Sequence, residues 1–243
     1  MPGIFLLDST VTAGPTTISG EKARYLTSVL RCSPGDPLTI KDSIGNVFSA
    51  RIISAGRKEV QIEIGEKQEY DTESFLHITL LQGLLKGEKM DLVIQKSTEM
   101  GVREIIPVVT ERSQVRETRK LPRWRKIAEE ASRQSGRNAI PTVHEAVELD
   151  NLFLLHRVPA GIIFWEQDGI PFADALSNLA GCREVALFTG PEGGFSATEV
   201  ALITKNGFLA ATLGRRILRA ETAALAVVSI IQFALGDLGN TGE

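Results

Sequence analysis

Hydrophobic and polar positions follow two different rhythms along this chain. In residues 1–70 the apolar positions tend to alternate. Val60-Gln61-Ile62-Glu63-Ile64 does so strictly, which predicts a strand with one buried face. Leu38–Ile40 and Val47–Ile52 predict further strands, joined through a turn at Ser43-Ile44-Gly45-Asn46. A helix interrupts them, with Ser19 as its cap and Leu26, Val29 and Leu30 as its buried stripe. Arg24 and Arg31, seven positions apart, then share another face of that helix. The polar stretch Gly65–Ser74 reads as a linker.

Past the linker, short runs apolar on both faces alternate with helical patterns. The strand candidates are Ile78–Leu81, Ile105–Val109, Gly161–Trp165, Val185–Thr189 and Leu209–Leu213. The helix candidates are Lys89–Met100, Pro122–Ser135, Ser196–Lys205 and Ala220–Leu238. Strands without a polar face, alternating with helices, predict a parallel sheet covered on both sides. The expected organisation is a small β domain over residues 1–70 and an α/β domain over 74–243. Ala220–Leu238 has small or apolar residues on nearly every face, so it needs cover all round, in a core or at a dimer interface. Its charge-free run, Thr222–Gly236, is too short to span a bilayer core of about 30 Å.

Composition changes this picture little. With 43% hydrophobic and 23% charged residues in 243, the chain has an ordinary globular core. A net charge of −3 gives no reason to expect a polyanion partner, but the local distribution does. Arg112 to Arg137 holds nine Lys or Arg against three Glu, with Trp124 among them, whereas residues 1–70 hold eight of each sign. Such a stripe is either a solvated helix face or a surface for RNA, whose phosphates and bases arginine both pairs and stacks upon. Cys32 and Cys182 have no metal-ligand spacing, and His77, His144 and His156 share no pattern, so no metal is expected. The amino terminus lacks a secretory pattern, and the reading is a cytoplasmic protein without a membrane partner.

The chemistry concentrates near the carboxyl end. Gly190-Pro191-Glu192-Gly193-Gly194-Phe195-Ser196 and Leu213-Gly214-Arg215-Arg216-Ile217-Leu218-Arg219 each lead from an apolar strand through glycine into a helix. Either could be a plain tight turn; side by side at one sheet edge they make a crevice for a small ligand. Glu192 inside the glycine cluster, with no Gly-Lys-Ser/Thr after it, suits a cationic or neutral ligand better than a pyrophosphate. A dinucleotide site is disfavoured too, because no GxGxxG follows a first strand. Ser196-Ala197-Thr198-Glu199 is a capping box that starts the helix directly after the first loop. Glu99 reads as a helix-end residue.

Five blocks in order resemble the RsmE family of SPOUT-class ribosomal RNA methyltransferases. Leu26, Val29-Leu30-Arg31 and Gly35-Asp36 are similar to its amino-terminal signature. Gln95-Lys96-Ser97-Thr98-Glu99-Met100-Gly101-Val102, with Ile105, Pro107 and Glu111-Arg112-Ser113, resembles its central block. Glu130-Ala131, Gln134-Ser135-Gly136-Arg137 and Pro141 follow, and Gly190–Phe195 with Glu199, and Leu213–Ala223, resemble its two cofactor loops. The resemblance covers nearly the whole chain. It implies a PUA-like β-barrel at the amino terminus, a SPOUT parallel-sheet domain with a trefoil knot, and a homodimer. It also implies S-adenosylmethionine-dependent methylation of uridine N3 in 16S rRNA of the small subunit. The family often has an arginine before its first strand; here Met1-Pro2-Gly3-Ile4-Phe5 supplies none.

Carried onto this sequence, the resemblance implies a cofactor site from Phe164, Trp165 and Glu166, from Thr189, Gly190, Pro191, Glu192, Gly193 and Gly194, and from Leu213, Gly214, Ile217, Leu218 and Thr222. Ile217 and Leu218 would lie against the adenine. Arg219 is the expected stabiliser of the uracil anion, with Arg112 of either subunit as runner-up and Glu221 as a weaker candidate for proton acceptor. Arg24, Arg31, Arg116, Arg133 and Arg137 are the expected RNA contacts. A non-catalytic RNA-binding assembly factor, or a sister SPOUT enzyme with another RNA target, are the alternatives.

Overall fold

A computed structural model describes residues 4–43, 45–68 and 72–239. The chain divides into two compact units, Met1–Thr72 and Glu73–Glu243. Met1-Pro2-Gly3, Ile44 of the expected turn and linker residues 69–71 lie outside the described residues.

The first unit contains β1 (Ile4–Leu6), β2 (Gly14–Ser19), α1 (Gly20–Arg24), a π-helical turn (Tyr25–Val29), β3 (Pro37–Lys41), β4 (Val47–Ala55) and β5 (Glu59–Gln68). They form one five-stranded sheet in the order β1-β3-β4-β5-β2. The alternation in β5 does what period two requires: Val60, Ile62 and Ile64 turn inward onto Phe5, Leu26, Ile40 and Ile52. The helix departs from expectation. Ser19 makes no side-chain cap, and Leu26 is buried while Val29 is 62% and Leu30 41% exposed. The Leu30 amide reaches back five residues to the Tyr25 carbonyl at 3.0 Å, which breaks the 3.6-residue rhythm. Arg31 then turns off at φ 54°. Arg24 and Arg31 are both exposed but do not share one helical face.

The second unit contains β6 (His77–Gly83), α2 (Lys89–Glu99), β7 (Glu104–Val109), α3 (Leu121–Ser135), β8 (Thr142–Val143), β9 (Val147–Glu148), α4 (Leu149–Leu155), β10 (Gly161–Phe164), β11 (Ile170–Pro171), α5 (Phe172–Ser177), β12 (Glu184–Thr189), α6 (Ala197–Lys205), β13 (Phe208–Thr212) and α7 (Ala220–Leu235). The sheet is parallel throughout, in the order β11-β13-β10-β12-β6-β7-β8, with β9 also on β7. Neighbouring residues along each strand serve opposite cores. Leu80, Ile105, Ile162 and Leu187 face α2, α3, α5 and α7, whereas Leu81, Ile106, Ile163 and Phe188 face α4 and α6. Each buried side chain of this size contributes about 1.5–3 kcal/mol, so losing either helix layer would expose a whole strand face.

One expectation, Arg137 as an RNA contact, needs correction here, and α7 leaves one face open. Within the chain, α7 is not covered all round: Ala224, Val227, Val228 and Ile231 are buried, but Phe233 is 68% exposed. Arg137 is no RNA contact, because only 5% of it is exposed. Its guanidinium pairs with Glu73 at 2.5 Å and donates to the Thr98 and Val102 carbonyls at 2.9 and 2.8 Å. A basic run read as one surface thus spends its last member holding the end of α2. Burial pushes the Glu73 pKa up, but hydrogen bonds from Arg137, Ala139 and Asn138 outweigh it and leave it below the ordinary value.

Removing one partner of a buried pair leaves the other charge stranded, so Arg137→Ala should lower stability by about 3–5 kcal/mol in urea unfolding. Because the folded-state pKa of Glu73 is depressed, its contribution is complete above the ordinary carboxylate pKa and is lost as pH falls through the depressed value. Glu73→Gln should therefore flatten the acid limb of stability against pH; an unchanged limb would contradict the assignment.

Candidate cofactor site

The strand order places β13, β10 and β12 side by side, and their carboxyl ends open together into a cavity of about 470 Å³. Carboxyl-end crevices of open parallel sheets are where such folds bind ligands, and this volume suits a nucleoside-sized molecule. Phe164, Trp165 and Glu166 after β10 form one wall. Thr189, Gly190, Pro191, Glu192, Gly193 and Gly194 form the second, and Leu213, Gly214, Ile217 and Leu218 the third. Thr222 is the exception among the expected lining: it stands exposed on α7, while Ala220, Glu221 and Ala223 line the cavity.

The first loop is clamped from beneath. The buried Gln82, next to last in β6, accepts from the Thr189 hydroxyl at 2.8 Å and donates to the Gly190 carbonyl at 3.2 Å. Gly83 beside it has room for no side chain: a Cβ would stand 2.4 Å from the Pro191 nitrogen. Gly194 adopts φ 68° and its amide closes onto the Pro191 carbonyl at 3.0 Å, a left-handed turn that glycine makes without strain. Phe195 then drops into the core against Phe188, ring centroids 5.0 Å apart. The capping box forms as the sequence pattern predicts, with Glu199 accepting from the Ser196 amide at 2.8 Å. Its other oxygen accepts from the Glu111 amide at 2.7 Å and ties in the loop after β7.

That tie brings Arg112 over the first loop, where its guanidinium donates to the Gly193 carbonyl at 3.3 Å. Arg219 lies across the cavity as the residue preceding α7, exposed at the rim beside Arg216. Ile217 is 86% exposed although it lines the cavity, a large apolar side chain available to a flat apolar ligand face.

The electrostatics differ from the sequence reading in one respect. Glu192 is not a free anion: Lys89, the first residue of α2, approaches its Oε1 to 3.0 Å, and the Lys86 amide donates to the same oxygen at 3.3 Å. Burial pushes the Glu192 pKa up, yet hydrogen bonds from Lys89, its own backbone and Lys86 bring it below the ordinary value. Lys89 also stands 3.9 Å from Glu221 Oε2. Lys89, like Arg216, is a charged cavity residue absent from the expected site. Its signal was the charged run Lys86-Gly87-Glu88-Lys89 directly after an apolar strand end. Trp165 Nε1 and the Oε2 atoms of Glu192 and Glu221 are buried without a hydrogen-bond partner among the described residues, so donor and acceptor groups remain for a ligand to meet.

Of the expected RNA contacts, Arg24, Arg31, Arg116 and Arg133 are exposed. Arg116 already meets Glu148 at 3.9 Å and the Glu111 carbonyl at 3.1 Å. Among the described residues no group of His, Cys, Asp and Glu is arranged to hold a metal ion. No helix there is long and apolar enough to cross a membrane.

Such a fold and cavity define a nucleoside-cofactor-binding α/β protein joined to a small β unit. Family models for an RNA methyltransferase domain and for an RNA methyltransferase PUA domain match residues 72–232 and 18–65. The ribosomal RNA small subunit methyltransferase E of Buchnera aphidicola (strain APS) is 34% identical over 90% of this chain and 88% of its own length. That of Bacillus subtilis is 29% identical over 95% and 94%. A putative methyltransferase from Legionella pneumophila, solved with bound S-adenosylmethionine, shares 35% identity and a TM-score of 0.71, covering 98% of this chain and 100% of that one. The Neisseria gonorrhoeae ribosomal RNA small subunit methyltransferase E, bound to the same cofactor, shares 33% identity, the same TM-score and the same coverage. The chain belongs to the RsmE family of ribosomal RNA small subunit methyltransferases.

Gly83→Ala should push Pro191 and the first loop out of place. Affinity for S-adenosylmethionine in calorimetry should fall by about tenfold or more, the scale of one lost well-placed contact. Unaltered affinity would show that the loop is not held by this close approach.

Proposed function

We propose that this chain transfers a methyl group from S-adenosylmethionine to N3 of a uridine in 16S rRNA, acting as a homodimer in the cytoplasm during ribosome biogenesis. One observation carries the reading: a nucleoside-sized cavity between two strand-to-helix loops, with a guanidinium at its rim. The relatives' names and the cofactor in two solved relatives support it. The backbone of residues 190–194 and 213–218 would hold the adenosine, with Ile217 and Leu218 against the adenine. When bound, the cofactor supplies an electrophilic methyl carbon on a sulfonium.

The chain's own work is alignment and charge. Holding acceptor and donor in line removes much of the entropic barrier of a two-molecule displacement. Uracil N3 bears a proton and becomes a good nucleophile only as the imide anion. A guanidinium beside it favours that anion and lowers its pKa. Arg219 fills this role; Arg112, fixed over Gly193, would serve from the other side or from a second subunit.

The open face of α7, with Ile230 and Phe233 exposed, supports a dimer across this helix, because an apolar strip of this kind needs cover. A trefoil knot in the carboxyl-terminal unit and a closed PUA-like barrel at the amino terminus belong to the same reading. RNA would meet Arg24, Arg31, Arg116 and Arg133. A different RNA target is the second reading, since nothing in a guanidinium rim distinguishes one uridine from another.

Mapping modified bases in rRNA from cells with and without this chain should reveal one N3-methyluridine that depends on it; an unchanged map sinks the assignment. Arg219→Ala should slow methylation by about a hundredfold while leaving cofactor affinity within about twofold, as expected for a group acting on the acceptor. If rate and affinity both stay at wild-type levels, Arg219 has no such role. Replacing Arg24 and Arg31 together by Ala should reduce the slope of log affinity against log salt for rRNA fragments by roughly one to two. An unaltered slope would remove them from the RNA surface.

A further inference from the structure

Lys89, Glu192 and Glu221 form a three-residue charge cluster on one side of the cavity, two carboxylates sharing one ammonium. The sharing is unequal: Lys89 Nζ is 3.0 Å from Glu192 Oε1 but 3.9 Å from Glu221 Oε2. The Oε2 atoms of both carboxylates are buried with no hydrogen-bond partner among the described residues, but the Oε1 of Glu192 also receives the Lys86 amide. One negative charge is therefore left over, and it resides mainly on Glu221. Leaving a carboxylate oxygen desolvated and unpaired is costly unless something cationic completes it. Glu221 lies in the first turn of α7, two positions after Arg219, so it sits beside the rim where donor and acceptor would meet.

Resting on the methyltransferase reading, we infer that Glu221 reads the charge of the sulfonium and thereby separates the methyl donor from its spent product. In the reaction the S–CH₃ bond breaks, its electron pair stays on sulfur, N3–CH₃ forms, and the N3 proton leaves to solvent or a base. The sulfur is cationic before transfer and a neutral thioether after it. A carboxylate facing that sulfur favours the donor and loses its partner once the methyl has gone, which speeds exchange of product for fresh donor. The same contact weakens as the transition state forms, so it contributes to donor affinity while slightly raising the barrier of the chemical step. Lys89 sets the strength of this effect by partly neutralising the pair it bridges.

Calorimetry on the full chain with S-adenosylmethionine, S-adenosylhomocysteine and the amine analogue sinefungin separates the possibilities. Glu221→Gln should weaken the sulfonium compound by roughly tenfold and leave the thioether within about twofold, the size expected for one charge contact in a partly wet cleft. Lys89→Met should shift the same ratio the opposite way. Sinefungin, which carries a cation in place of the sulfonium, should follow the donor. Single-turnover methylation by Glu221→Gln at saturating donor should be as fast as wild type or faster, because the lost contact opposed the step. Equal weakening of donor and product would place the cluster on the amino-acid end and overturn the inference. Collapse of the single-turnover rate with unchanged affinities would make Glu221 a proton acceptor and overturn it too. Absence of any binding by the unsubstituted chain would instead sink the methyltransferase reading itself. Near-ultraviolet circular dichroism checks that each variant is folded.

Discussion

The buried carboxylate of Glu199 is the interaction on which the site's geometry depends. One oxygen caps α6 at Ser196 and the other receives the Glu111 amide, so a single side chain ties together the loops that follow β12 and β7. From the capped end, the glycine turn is drawn back over the sheet, Phe195 is buried, and Arg112 is carried across Gly193. Gln82 closes the arrangement from below through Thr189 and Gly190. Both side chains satisfy backbone groups that would otherwise be buried without partners, and their loss would cost more than a surface hydrogen bond. A loop made flexible by Gly190, Gly193 and Gly194 is thus held in one shape by polar residues that are not glycine.

This division of labour explains how a chain of ordinary composition builds a specific cavity. The sheet supplies three adjacent strand ends by its order alone, with β10 between β12 and β13. The glycines allow close approach of backbone to ligand. Charge is then added at the edges: Arg112 over Gly193, Arg216 and Arg219 before α7, and Lys89 bridging Glu192 and Glu221. In the proposed reaction the cationic rim would meet an acceptor that must become an anion, while the acidic cluster would face a donor that is a cation.

Much of this was legible in the sequence where local rules decide. The Ser196–Glu199 capping box and the apolar strands of the second unit depend on neighbours within a few positions, and the sheet they predict is the one found. The two glycine loops were legible as a crevice in the same way, whereas the wall of Phe164, Trp165 and Glu166 followed only from the family resemblance. What failed depends on partners far away in sequence. Arg137 reads as one more basic residue until Glu73, 64 positions earlier, is placed beside it. Glu192 reads as a bare anion until Lys89, 103 positions earlier, approaches. The short strands β8, β9 and β11, of two residues each, carry too little period to register. The first helix failed for a local reason, since a π turn has no period that a 3.6-residue pattern can reveal.

The most direct test is a crystal structure of this chain soaked with S-adenosylmethionine. The adenosine should lie between residues 190–194 and 213–218, its adenine on Ile217 and Leu218, with the sulfur turned toward Glu221 and the rim that carries Arg219. Density for the compound at any other place, or a cavity that stays filled only with solvent at saturating concentration, would contradict it.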